Sequence, residues 1–287
     1  MLTGQSISHV NQGVGTCYSK TEIAGYYNDL TEKVTKDDPE ILVPKYYVDS
    51  GDKIFFSIGI FQYGLAAYDL FLKTDNIIYK NKLLACANWA VDNQQDDGSW
   101  ITFAFENADH PYSAMAQGEG ISMLIRAHKE TGDEKYLVAI KKAKTFMLRS
   151  ISDGGTTAYY GSEIYLYECT HDPLILNGWI FSLWGLFDYC KYIDESDEVK
   201  SVLDNTLASL VKKLPDFDLK YWSKYEDGKR ISSPFYHRLH IAQLRVMHDL
   251  FGDDIYEVYA TKWENYQNSF WNVKRAFIIK ALQKIFD

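Results

Sequence analysis

The chain has 287 residues, of which 46% are hydrophobic, 15% aromatic and 24% charged. That length allows one large or two modest domains, with ample apolar material for a sizeable core. A formal net charge of −9 argues against a nucleic-acid binder, which needs a basic face, and confines any positive potential for an anionic ligand to a local site.

The 22 tyrosines and 7 tryptophans suit either stacking on the C–H faces of sugars or the filling of a large helical core. Cys17, Cys86, Cys169 and Cys190 are scattered without CxxC spacing, which reads as reduced thiols rather than a zinc site. The opening MLTGQSISHVNQG lacks a basic stretch followed by an apolar core, and no run approaches the ~18 apolar residues of a membrane span. The expected location is therefore cytoplasmic, with peripheral contact at the inner membrane face left open.

Taken in chain order, residues 1–25 are weakly patterned and read as an irregular N-terminal arm, with a single helical domain over 26–287. Pro44 to Gly51 reads as extended structure. Four segments then share one layout: an apolar helix, a short acidic or glycine-bearing turn, and a second helix. They begin near Gln62, Gln117, Asn177 and His240, and KTDN, TGDEKY, DESDEV and FGDDIY fill the turn in each. These turns supply caps at helix starts and, in two cases, a glycine stop.

Within the units apolar residues recur at helical spacing, as in Leu137, Ile140, Ala143 and Met147. The first helix of each unit carries small residues (Gly64, Ala66 and Ala67; Gly118, Gly120 and Ser122; Gly178 and Gly185), whereas the second is charged. A crowded inner ring needs small residues, so the expected fold is all-α, an (α/α)4 barrel or toroid of helical hairpins. Two long connections, residues 150–173 and 215–238, interrupt the pattern, and long connections in a compact domain are usually functional.

The turn NQQDDGSW (93–100) reads as a structural staple in which Gln and Trp pin two helices. PYSAMAQGEG (111–120) sets Tyr112 and Gln117 at the start of an inner helix, facing either a cleft or a packing interface. EIYLYECTHDPLILNGW (163–179) brings Tyr167 and Glu168 together ahead of Asn177, and a phenol beside a carboxylate can share a proton. SPFYHRLHIAQL (233–244) offers Tyr236, His237, Arg238 and His240; Tyr236 and His240 are four apart and could share a helix face. His237 and His240 have no third ligand in motif spacing, so no metal is expected. Neither a GxSxG nucleophile motif nor a dinucleotide fingerprint occurs.

QYGLAAYD (62–69), the NQxxxGxW turn, YSAMAQGEGISMLIRA, LNGWIFSLWGLFDY (176–189) and FYHRLHIAQL occur in register from about residue 26 to 268. In this the chain resembles the catalytic, C-terminal domain of the D-glucuronyl C5-epimerases. The resemblance implies an (α/α)4 barrel, a heparosan-type glucuronate substrate and no cofactor. It implies catalytic roles for Tyr236, Tyr225 and Tyr167. Where the family loop reads EEYP, gapless counting puts its glutamate on Leu166, so the carboxylate here has moved to Glu168 or a gap intervenes. No counterpart of the β-rich domains of the animal enzymes is expected, and the chain reads as a minimal, microbial-type form.

Inversion at C5 then needs an acid/base group on each ring face: Tyr236 on one, Tyr167 or Glu168 on the other, with Tyr225 orienting the sugar. Asn177, Arg238, His240 and His237 are the candidates for stabilising the carboxylate, with Gln117 and Tyr112 at the cleft. A uronate polysaccharide lyase and a non-catalytic glycan-binding protein of a polysaccharide-synthesis complex are the alternatives. Expected partners are a uronic-acid-containing polysaccharide or its precursor, and no nucleic acid. A homodimer stays open. So does contact of the basic C-terminal helix (271–286) with a membrane surface or a glycosyltransferase, against the reading that this helix caps the fold.

Overall fold

Each repeated unit folds as a helical hairpin in the computed structural model, which describes residues 10–48, 50–193 and 196–286. A four-residue helix α1 (Glu32–Thr35) and a small hairpin of β1 (Tyr46–Tyr47) and β2 (Lys53–Ile54) come first. The hairpins are α2 (Ser57–Thr74) with α3 (Ile77–Asp92), and α4 (Ala114–Thr131) with α5 (Glu134–Met147). After the antiparallel pair β3 (Thr157–Tyr160) and β4 (Glu163–Leu166) come α6 (Leu176–Tyr192) with α7 (Asp197–Lys213). The series ends with α8 (Pro234–Phe251), α9 (Asp254–Gln267) and a further helix α10 (Phe270–Phe286). The fold is all-α apart from these short strand pairs.

The turn chemistry explains where the hairpins reverse. Gly132 and Gly252 end α4 and α8 in the left-handed region, at φ 68° and 73°. Asp133 and Asp253 then cap the next helices through their side chains, as Asn76 does for α3. Within the first three hairpins the first helix is buried on nearly all sides and the second along one stripe. The first helices pack in series, α2 on α4, α4 on α6, and α6 on α8. Small residues set the α4–α6 crossing: a β-carbon at Gly118 would lie 2.7 Å from Ser182 Cα. The expectation of a closed (α/α)4 ring goes further than this packing.

The N-terminal segment packs against these helices; residues 1–9 of the expected arm lie outside the described residues. Tyr26 donates its backbone N–H to Asp69 of α2, and Tyr27 its hydroxyl to Asp188 of α6, at 2.8 and 2.5 Å. Arg126 of α4 donates to the carbonyls of Ala24 and Gly25 and pairs with Asp188 at 2.7 Å. Tyr18 and Lys20 engage Asp249 of α8. All four partners lie toward the C-terminal ends of the first helices, so the segment fastens that end. The N-terminal ends open on the other side.

α10 buries Ala276 and packs Ile279 against Tyr221, Trp222 and Ile231, and Lys280 donates to the Ile231 carbonyl. Its other face leaves Phe270, Trp271, Phe277, Ile278 and Leu282 exposed. No helix among the described residues is long and apolar enough to cross a membrane.

Candidate active site

A cavity of about 320 Å³ lies where the N-terminal ends of the first helices meet. Gln62 of α2, Met115 of α4, Asn177 and Phe181 of α6, and Tyr236 of α8 line it. Ser113 and Ser233 cap α4 and α8, and the exposed backbone N–H groups of such ends favour negative charge.

Glu168 enters from the loop after β4. The residue is 9% exposed, and its side chain lies on Gly178 at the start of α6, with the Asn177 Nδ2 3.4 Å from Oε2. Burial, reinforced by the carboxylates of Glu106 and Asp172 and partly offset by Arg230, pushes its carboxyl up to about 8. Such a group exchanges its proton near neutral pH.

Tyr225 and Tyr236 meet at 4.7 Å between ring centroids. Burial raises the phenol of each, with the Glu168 charge next in weight. A hydrogen bond joins the two phenols. The loop carrying Tyr225 is held by its own folding: Tyr225 N–H donates to the Arg230 carbonyl, and Glu226 bridges antiparallel to Ile175. Arg230 reaches the cavity while paired with Glu226 and, at 2.9 Å, with Asp172.

The cavity thus gathers Tyr236, Tyr225, Glu168 and Asn177, and other candidates lie elsewhere. Tyr167 lines a separate groove of about 240 Å³ with Tyr160, Tyr165, Lys213 and Asp227. β4 ends at Leu166 and the chain bends at Glu168, which lines the cavity while Tyr167 lines the groove. Arg238 is exposed and lines neither cavity. Two residues from Tyr236 on a helix, it points away from it.

Gln117 is a packing tie. It is buried, donates to the carbonyls of Gly98 and Ala143, and accepts from the Trp100 N–H. Tyr112 packs edge-on to Phe146, outside the cavity. His237 stacks on Trp222 at 3.7 Å. The Ser223 N–H donates to its Nδ1, which leaves Nε2–H to donate to the Trp263 carbonyl at 2.9 Å. His240 is fully buried behind the lining, with Ser223 Oγ 3.2 Å from Nδ1 and no protein partner for Nε2 among the described residues. Burial pushes the two imidazoles down to about 4 and about 3, so both are neutral. No set of three potential metal ligands occurs among the described residues.

Sequence reasoning missed Gln12, Lys33, Gln62 and Arg230, which all line the cavity. Below it, Gln62 donates to Glu119 at 2.8 Å, and burial holds that carboxyl well above the usual range.

A family model described as the D-glucuronyl C5-epimerase C-terminus matches residues 99–265. Over 217 residues the chain is 31% identical to the D-glucuronyl C5-epimerase of Caenorhabditis elegans, which takes in 66% of this chain and 35% of that protein. It is also 27% identical over 158 residues to an uncharacterized protein of Methanocaldococcus jannaschii, 52% of this chain and 50% of that one. This chain belongs to the D-glucuronyl C5-epimerase C-terminus family. It spans about a third to a half of the length of these two relatives.

Proposed function

We propose that this chain is an isomerase that inverts C5 of a uronate residue in a polysaccharide, interconverting D-glucuronate and L-iduronate. The convergence of Glu168, Tyr236 and Tyr225 in one cavity, within a member of this family, carries the reading.

C5 of a uronate lies α to a carboxylate. Removing its proton sends the C5–H electron pair toward the carboxylate and forms an enediolate with two negative charges. In the forward direction the ionised Glu168 takes the proton. Tyr236, whose raised phenol is neutral, delivers its own proton to C5 from the opposite face. The phenolate left on Tyr236 is stabilised by the hydrogen bond it accepts from Tyr225. The reverse reaction exchanges the two roles.

Stabilising the enediolate falls to groups fixed before reaction: the Asn177 amide, the Arg230 guanidinium and the positive ends of α4, α6 and α8. Preorganised donors of this kind typically contribute about 3–4 kcal/mol each. Arg238 and the neutral, buried His237 and His240 drop out of this role. Tyr167 drops out as the second acid/base.

Incubating the chain with a glucuronate polymer in deuterium oxide tests the reading. Proton NMR should show loss of the C5 proton signal together with new iduronate signals. An ultraviolet-absorbing unsaturated uronate would instead identify a lyase. Binding with no isotope incorporation would identify a glycan-binding protein.

A further inference from the structure

We propose that the N-terminal segment, outside the matched family span, forms one wall of the substrate site. In this wall Lys33 binds the uronate carboxylate and Gln12 binds a hydroxyl of the sugar. The inference rests on the reading that the cavity takes a uronate.

Two basic side chains line the cavity among the described residues, Lys33 and Arg230. Arg230 shares its guanidinium between Glu226 and Asp172, which fixes the loop that carries Tyr225. Lys33 arrives from α1, part of a different stretch of chain. Its backbone N–H bonds to the Leu30 carbonyl, and the neighbouring Leu30 and Val34 are buried in the main core. Asp29 holds the preceding turn through Thr31 N–H and, at 2.6 Å, the Thr31 hydroxyl. α1 packs on α2, and Tyr26 and Tyr27 anchor the approach to it. Lys33 thus projects from a braced turn.

The residue is half-buried, and its ammonium senses the Glu119 carboxyl beneath the cavity. Burial lowers it to about 8. An ammonium in such a setting gains from a carboxylate partner far more than one in water. The cavity wall already presents Glu106, Glu168 and Asp172, so an acidic substrate needs a cation placed among them.

Gln12 gives an independent sign of a ligand. It is 7% exposed, lines the cavity, and its Oε1 has no protein partner among the described residues. Asn177 Oδ1, also on the lining, is in the same position. Buried amide oxygens are normally hydrogen-bonded, and sugar hydroxyls are donors of the right kind.

Calorimetric titration with a glucuronate oligosaccharide and with its methyl ester, for the parent, Lys33→Met, Lys33→Arg and Gln12→Ala, tests this. Lys33→Met should bind the acid about 10–100-fold more weakly, as expected for losing a hydrogen bond to a charged group, with little change for the uncharged ester. Lys33→Arg should restore the preference for the acid. Gln12→Ala should weaken both ligands alike. Equal affinity of parent and Lys33→Met for the acid, or an equal loss for acid and ester, would overturn the assignment. A parent that binds the acid yet incorporates no deuterium at C5 sinks the epimerase reading and leaves the wall intact. A parent that binds neither ligand overturns both.

Discussion

Glu168 lies so close on Gly178 that a β-carbon built there would fall 2.5 Å from the Glu168 β-carbon and 2.8 Å from its carboxyl carbon. The glycine at the start of α6 therefore sets the position of the acid. Both chain ends are fixed, Leu176 by its N–H bond to the Tyr225 carbonyl and Tyr167 by its N–H bond to Thr156. Glu168 has to move if the methyl is added. Gly178→Ala should keep the fold at a cost of about 1–3 kcal/mol, the usual range for overpacking. Its C5 exchange should fall by roughly 100-fold or more, since displacement of about 1 Å at a reacting group has that effect. Exchange assays with thermal melts check both; unchanged exchange would show that Glu168 does not act from this position.

The same acid shapes the stability curve. The Glu168 carboxyl moves from an ordinary value of 4.5 to about 8 on folding. Below pH ~4.5 it is protonated in both states and makes no difference. As pH rises from there to about 8 the unfolded chain ionises first, and the native state is progressively destabilised. Glu168→Gln removes this burden, and should stabilise the fold by roughly 3 kcal/mol at pH 7 while gaining little at pH 4. Denaturant titrations at the two pH values measure the difference; a gain independent of pH would contradict a raised carboxyl. The variant should be inactive all the same.

Tyr236→Phe and Tyr167→Phe separate the two tyrosines. General acid–base groups typically contribute 10²–10⁴-fold, so exchange by Tyr236→Phe should drop into that range. Tyr167→Phe should stay within a few-fold of the parent, because the ring faces the outer groove beside Lys213 and Asp227. The reverse order of effects would return Tyr167 to the reaction.

Much of the architecture was legible because the hairpin turns repeat. TGDEKY and FGDDIY each place a left-handed glycine stop before an aspartate cap, and that pair marks a reversal without any tertiary information. The positions of Tyr236 and Asn177 could be read for a similar reason, since each stands in the first turn of a helix marked by its apolar spacing. The choice between Tyr167 and Glu168 was not legible. The chain bends just after β4, and which of the two neighbours enters the cavity depends on the β3–β4 hairpin and on the space that Gly178 leaves. Arg238 could have been set aside from sequence, because residues two apart on a helix do not share a face. Lys33 and Gln12 carried no signal: they lie in a segment without periodicity, ordered by contacts with partners far along the chain, such as Asp69, Arg126 and Asp188.

That fastening has its own test. Arg126 and Asp188 are 1% and 0% exposed, and the guanidinium also satisfies Ala24, Gly25 and Ser122 carbonyls. Removing one partner of a buried pair leaves an uncompensated charge and typically costs about 3–5 kcal/mol. Arg126→Met should lose that much in denaturant unfolding and expose the N-terminal segment to protease. A loss below about 1 kcal/mol would show that the segment is held by other means.

The most direct test of the central claim is deuterium incorporation at C5 of a glucuronate polymer in deuterium oxide, compared among the parent, Glu168→Gln and Tyr236→Phe. The account predicts label at C5 with appearance of iduronate for the parent, and a loss of at least 100-fold in each variant that retains its fold. A parent that leaves C5 unlabelled, or folded variants that label it at the parent's rate, would contradict it.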